Sequence, residues 1–254
     1  MTTRTDVVRG RHRRQLAAML LSATASLTLA APALAKGHGH RPHDRSFQFA
    51  EMGDTEYSDE GVDQFANMTD DINAQKNLQW VVHVGDIKGA QPCSDSWLEG
   101  VRAQFQKYDA PFVYTPGDNE WTDCHMTALG QFLPTERLAR LRQIFFPVPG
   151  LTLGKRTMRV TTQASEAAYA PFVENVRWVR EGVVFATIDV PGSGNDLNPW
   201  FGIDKNDTVE TPRPDRITEY KTRMAAVLAW LDETFAFAER IHAPGVFIAM
   251  EAYP

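Results

Sequence analysis

The chain has 254 residues, 43% of them hydrophobic and 23% charged, and a formal net charge of −6. That acidic balance argues against nucleic acid as the main partner, because phosphate backbones are bound by clustered lysine and arginine. The length suits one domain with a sizeable core once a leader is set aside, and no later stretch reads as a stable membrane span.

The leader is legible at once. Arg9, Arg11, Arg13 and Arg14 form a basic start, Leu16 to Leu29 an apolar stretch too short and too polar to cross a bilayer, and Ala33-Leu34-Ala35 a small-residue cleavage site. Residues 1–35 therefore read as an export signal, either of the general secretory (Sec) kind or, on Arg13-Arg14, of the twin-arginine kind. The destination is the periplasm or the exterior. Removing five arginines and one aspartate from 26 basic and 32 acidic residues leaves 21 against 31, so the mature chain is more acidic still. Residues 36–45 are polar and unpatterned and predict a disordered tail. Cleavage after Ala35 would expose Lys36-Gly37-His38, a free amine followed by histidine at position three, which can place four nitrogens around Cu²⁺ or Ni²⁺.

From residue 46 to 254 the pattern is that of one α/β domain. Three apolar runs, Phe47 to Met52, Trp80 to Val84 and Pro111 to Thr115, predict strands, and each is followed by a helical pattern. Val62, Phe65, Met68 and Ile72 mark the first helix. Trp97, Val101, Phe105 and Tyr108 mark the second, with Asp95 and Ser96 as its candidate caps. Pro134 and Thr135 open a third, with Leu138, Leu141 and Phe145 on one face. Two further strands, around Val176 to Val179 and Val183 to Ile188, are joined by Glu181-Gly182 and so predicted antiparallel. A Gly- and Pro-rich loop then leads to the longest helix, whose predicted apolar stripe runs Ile217, Tyr220, Met224, Val227, Leu228, Leu231 and Phe235. The last strand, Val246 to Met250, is apolar enough for a sheet interior, so the expectation is a domain cut short at its carboxyl end.

Gly-Asp closes each of the first three strands, with aspartates at Asp54, Asp86 and Asp118, spaced by 32 residues both times. In a parallel sheet all three emerge at the same carboxyl edge, where open α/β sheets bind ligands. Converging carboxylates repel one another, which makes a cation their natural partner. The only two cysteines, Cys93 and Cys124, follow the second and third aspartates by seven and six residues. In an oxidising compartment they are expected to form a disulfide tying two loops of that edge. His83 precedes Gly85-Asp86 within a strand and is expected to be a hydrogen-bonded core residue. Lys88 and Trp121 flank the motifs and read equally as site residues or as surface and core ones. Gly192-Ser193-Gly194-Asn195 could cradle an anion, although no Walker pattern accompanies it.

Gly53-Asp54, His83-Val84-Gly85-Asp86-Ile87-Lys88-Gly89 and Tyr114-Thr115-Pro116-Gly117-Asp118-Asn119-Glu120-Trp121 together resemble the first three motifs of the calcineurin-like metallophosphoesterases, particularly their secreted bacterial members. The resemblance implies an α/β/β/α sandwich, incomplete at its carboxyl end. It also implies two divalent ions, Mn, Mg, Fe, Zn or Ca, and hydrolysis of phosphate mono- or diesters of a small molecule or a phospholipid-type substrate. Asp54 would be a ligand of one ion and Asp86 a bridge between both. Glu56 stands where that family has a histidine. In one register Asp118 is the next ligand and Asn119 faces the phosphate; shifted by one, Asn119 is the ligand and Glu120 faces the substrate. Glu251 stands at the strand end where the family has a further histidine, and His125 is a candidate general acid or phosphate contact. The oxygen-rich set favours Mg²⁺, Mn²⁺ or Ca²⁺ over zinc. The alternative is a phosphoesterase-like domain that binds metal or ligand without turnover. A periplasmic solute-binding domain, the third reading, leaves the repeated Gly-Asp unexplained.

Overall fold

The computed structural model describes residues 46–55 and 59–252, all within one compact unit, Asp44–Pro254. The export signal, the tail with Lys36-Gly37-His38, and Glu56 lie outside the described residues. The chain begins with three βα units. These are β1 (Gln48–Met52) with α1 (Asp59–Ala74), β2 (Leu78–His83) with α2 (Asp95–Phe105), and β3 (Phe112–Tyr114) with α3 (Pro134–Phe145). The three strands form a parallel sheet in the order β1-β2-β3, as their spacing predicts. Met52 is paired with His83 and His83 with Tyr114, so the strands end level and deliver their Gly-Asp segments to one edge.

The cap of α2 is Ser94, one residue before the expected Asp95 and Ser96. Its Oγ accepts the Trp97 N–H at 3.2 Å. Asp95 instead sits in the first turn and binds Arg137 and Arg140 of α3, each at 2.8 Å.

A second, mixed sheet has the order β4-β5-β6-β7, with β4 (Thr161–Thr162), β5 (Val176–Arg180), β6 (Val183–Thr187) and β7 (Val246–Ala249). The expected hairpin is β5-β6. Glu181 (φ 48°) and Gly182 (φ 85°) both occupy the left-handed region that a two-residue turn between twisted strands requires. β7 then adds parallel to β6. Between them lie a single turn, α4 (Gly192–Asn195), and the long helix α5 (Pro214–Arg240).

Period-2 alternation divides the core. Val81 faces a cluster shared with Leu98, Phe105 and Leu141 of α2 and α3. Trp80 and Val82 face the second sheet, where they meet Trp178, Phe185 and Ala249. Ile188, Val227 and Trp230 form a smaller cluster between the second sheet and α5. The predicted stripe of α5 is rotated. Its buried line runs Arg216, Arg223, Ala226, Val227, Trp230, Thr234 and Ala238, whereas Leu228 and Phe235 are exposed. Arginines with internal partners take places that an apolar periodicity cannot reveal. Among the described residues no helix is long and apolar enough to cross a membrane.

Candidate metal centre

The Gly-Asp loops hold one another by main-chain bonds that continue the sheet beyond its strands. Asp54 N–H donates to Gly85 O (3.2 Å), Thr55 N–H to Asp86 O (3.1 Å), and Thr115 N–H to His83 O (3.0 Å). Asp54 and Asp86 share a left-handed backbone, φ 54° and 58°, which aspartate tolerates better than most side chains. Gly85 is left-handed too (φ 102°), and a Cβ there would lie 2.1 Å from Gly117 N. A Cβ on Gly117 would lie 2.3 Å from Asp86 Oδ1. These glycines allow the second and third loops to touch.

His83 belongs to this scaffold. Its Nδ1 accepts the Gly85 N–H (3.1 Å), leaving Nε2 to donate to Thr55 Oγ1 (2.8 Å), so a neutral ring ties the first loop to the second. Complete burial holds its pKa down at about 3.

Asp86, Asp118 and Glu251 converge: one carboxylate oxygen from each lies within 4.8 Å of the others. Asp86 is buried and the other two half-buried. Asp54 is outside this group, and exposed. Burial, and then the charges of Asp118, Glu120 and Asp54, push Glu251 up to about 7, against the hydrogen bond from Gly192 that pulls it down. Three oxygen donors at this separation, at the cost of mutual repulsion, suit a hard divalent cation such as Mg²⁺, Mn²⁺ or Ca²⁺. A softer ion would find no imidazole in the group.

The remaining motif residues surround these three. Asn119 donates through Nδ2 to Asp86 Oδ2 (3.0 Å) and through its main chain to Asp86 Oδ1 (3.3 Å), which fixes the two side chains against each other. Glu120 is fully buried. Its Oε1 accepts from Tyr114 Oη (2.7 Å) and Gly117 N (2.8 Å), and its Oε2 from Ile87 N (3.4 Å). Burial raises its pKa in spite of those bonds. Lys88 is also fully buried, and donates to Gly89 O (2.9 Å) and Asn119 O (3.0 Å). Desolvation lowers its pKa although Glu120, Asp123, Asp86 and Asp118 all pull the other way.

Cys93 and Cys124 form the expected disulfide, with Cα atoms 5.8 Å apart, and both sulfurs lie 3.8 Å from Asn119 O. His125 is buried behind that loop. Its Nδ1 accepts the Gly202 N–H at 3.4 Å, its ring meets Phe201 edge-on, and burial lowers its pKa.

The second half of the chain contributes the opposite wall. Ser193 (φ 51°), Gly194 (65°), Asn195 (60°) and Asp196 (64°) run consecutively left-handed, a conformation costing non-glycine residues roughly 1–2 kcal/mol each. This turn meets the acidic group directly. Gly192 N–H donates to Glu251 Oε2, and a Cβ on Gly192 would lie 2.6 Å from Asp118 Oδ2. Ser193 Oγ donates to Asp123 Oδ1 at 2.8 Å. The glycine-rich segment thus donates one main-chain N–H and one hydroxyl to carboxylates of its own chain, Glu251 and Asp123. Asp123 is a site neighbour that motif reading missed, although its position five residues after Asp118 could have suggested it. Ser193 lies in the glycine-rich segment singled out from the sequence, but its left-handed backbone is not announced by one serine between two glycines.

No family model matches the sequence, and no curated protein matches it either.

Proposed function

We propose that this chain is an exported metal-dependent phosphoesterase that hydrolyses phosphate mono- or diesters. One observation carries the reading: Asp86, Asp118 and Glu251, from the carboxyl ends of strands in both sheets, bring donor oxygens within 4.8 Å of one another. The succession of helices, parallel sheet, mixed sheet and helix, together with the three Gly-Asp motifs, supports a metallophosphoesterase-like α/β/β/α sandwich.

In this reading Asp86, Asp118 and Glu251 hold a hard divalent ion. A second ion would draw on Asp86, Asp54 and the Asn119 side chain. Divalent metal supplies Lewis acidity there, acidifying water and offsetting charge on phosphoryl oxygens. The chain's own residues orient and insulate. Asn119 fixes Asp86 through two hydrogen bonds, and the buried Lys88 ammonium fixes the Asn119 carbonyl while moderating repulsion among the acids. Glu120 acts as an internal brace, because both of its oxygens are already engaged. A phosphate ester, small or phospholipid-type, would approach from the half-exposed side of Asp118 and Asn119.

Binding without turnover is the second reading, favoured by the burial of Glu120 and His125, which removes both from direct contact with a substrate. Assays of p-nitrophenyl phosphate and bis(p-nitrophenyl) phosphate with Mn²⁺, Mg²⁺ or Ca²⁺, run beside metal analysis, decide between the two. Metal-dependent hydrolysis that disappears in Asp86→Ala supports the enzyme. Bound metal with neither ester cleaved selects the second reading, and absence of bound metal sinks both.

A further inference from the structure

Arg223 lies on α5, one layer away from the acidic group, and makes no contact with it. Its side chain is fully buried, and every arm of the guanidinium is engaged. Nη1 donates to Asp189 O (3.0 Å) and to Asn195 Oδ1, Nη2 to Asn195 O (3.0 Å), and Nε and Nη2 to Glu219 (2.8 and 3.1 Å). The planar group lies over the Trp121 ring at 5.3 Å, and Trp121 belongs to the loop that carries Asp118.

These contacts have a common destination. Asp189 precedes and Asn195 lies within the segment that holds the left-handed turn, where Gly192 N–H binds Glu251 and a Cβ on Gly192 would strike Asp118. A run of left-handed non-glycine residues does not persist unless its surroundings over-determine it. The surroundings are Arg223 on the main chain and side chain of Asn195, the Trp200 indole N–H on Asp196 Oδ1 (2.9 Å), and Ser193 on Asp123. Arg223 is the member that grips both the turn and the strand end leading into it, and also covers the Asp118 loop.

We propose that Arg223 is a positioning residue for the metal centre, setting the places of Glu251 and Asp118 through the left-handed turn. The proposal rests on the reading of the acidic group as a metal centre. It makes α5, which supplies no ligand, a determinant of metal affinity. Arg223 is itself buried, but it borders an open pocket of about 540 Å³ lined further by Leu138, Phe172, Thr218, Glu219 and Thr222. Truncating Arg223 is expected to join its vacated space to that pocket and to admit a small guanidinium compound.

Mn²⁺ titration of the mature chain tests this, with Arg223→Ala, Arg223→Lys and Arg177→Ala compared. Arg177 is the control: also buried, bonded to Glu233 and Thr234 of the same helix, stacked on Trp230 and Phe237, and without a bond to the turn. Arg223→Ala is expected to weaken Mn²⁺ binding about tenfold to a hundredfold, the usual cost of losing a group that orients metal ligands. Millimolar ethylguanidinium should restore most of it. Arg223→Lys, which keeps the charge and most of the volume but not the fork, should weaken binding similarly, and it serves if the alanine variant does not fold. Arg177→Ala should lose thermal stability while keeping wild-type affinity. Unchanged affinity in a folded Arg223 variant, or an equal loss in Arg177→Ala, overturns the positioning role and leaves the metal reading standing. Absence of Mn²⁺ binding by the wild type overturns both.

Discussion

The two halves of this molecule reach the same site by different means. The first half, β1 to α3, is a repeat of short-range rules: a strand, a Gly-Asp, a loop, a helix. Its aspartates are placed by strand register and by main-chain bonds between adjacent loops. The second half contributes Glu251 and the turn that holds it, through contacts among residues distant in sequence. Its long helix is anchored by the buried ion pair of Arg216 with Asp207 (2.8 Å) and by Arg223 on Asp189 O and Asn195 O (both 3.0 Å), with Arg142 of α3 paired to Glu174 close by. A periodic scaffold can be read from one sequence, whereas a scaffold of paired buried charges is specified only when both partners are known.

Breaking the first half at its centre should have the largest consequence. Asp86→Ala removes the most buried donor of the group and the acceptor that holds Asn119, so bound Mn²⁺ should fall by about a hundredfold or more, with any hydrolysis abolished. Asp54→Ala should lose less, because Asp54 stands outside the three-carboxylate group. Metal content after gel filtration checks both, and equal losses would remove the special place given to Asp86.

The comparable break in the second half is Arg216→Ala, which strands Asp207 with its carboxylate fully buried. Losing one partner of such a pair costs about 3–5 kcal/mol, so denaturant unfolding should show a larger loss than any single change on the surface of α5. Asp207 titrates low because Arg216 and the Arg213 and Trp200 main-chain N–H groups outweigh the cost of its burial. A lowered folded pKa means stability that is present above the unfolded value and lost as pH falls through the folded one. Wild type should therefore weaken below about pH 4 by a contribution absent from Arg216→Ala.

Next in size is the disulfide. Cys93→Ser with Cys124→Ser frees a loop of 31-residue separation and should cost about 3–4 kcal/mol, read as a fall in melting temperature. Because both sulfurs rest against Asn119 O, metal affinity should fall as well. A stability loss with affinity intact would mean that Lys88 alone fixes that carbonyl.

The smallest effect sharpens the contrast by strengthening the second half. Burial, and then the charge of Glu219, push Asp196 up to about 9 against the hydrogen bond from Trp200. With a folded pKa raised above the unfolded one, its contribution is fully present below about pH 4 and lost as pH rises through 9. Asp196→Asn stays neutral, keeps an acceptor for the indole and tolerates the left-handed backbone. It should melt higher than wild type at pH 8–9 and close to it at pH 5, and a parallel offset at every pH would refute this account.

Sequence legibility follows the same division. Three parallel strands, the hairpin at Glu181-Gly182, the disulfide and the meeting of Asp86 with Asp118 all follow from period-2 runs, turn residues and a repeat length. Glu251 could be nominated only through the resemblance, at the strand end where a histidine is expected. The stripe of α5 could not be placed correctly, since arginine at 216 and 223 looks solvent-facing until Asp207, Asn195 and Glu219 are known to lie inside. Glu120 illustrates the limit within a legible motif: it stands beside two residues of the acidic site, yet its side chain turns into the core toward Tyr114. Strand spacing says which loops converge, not which way each side chain leaves the loop.

The contact between Gly85 and Gly117 has one more consequence. The gap between the second and third aspartates is set where two backbones touch with no side chain between them. Substitutions elsewhere in the core, at Val82 or Val113 for example, can alter how the sheets pack without passing through this point, so the carboxylate spacing is insulated from drift in the interior. The same insulation makes it brittle. A methyl group at Gly85 has nowhere to go, and no compensating change of a neighbouring side chain can make room, because the neighbour is main chain; one at Gly117 meets both the Asp86 main chain and the Asp86 carboxylate itself. A selection for suppressors of Gly85→Ala should therefore return reversion and little else.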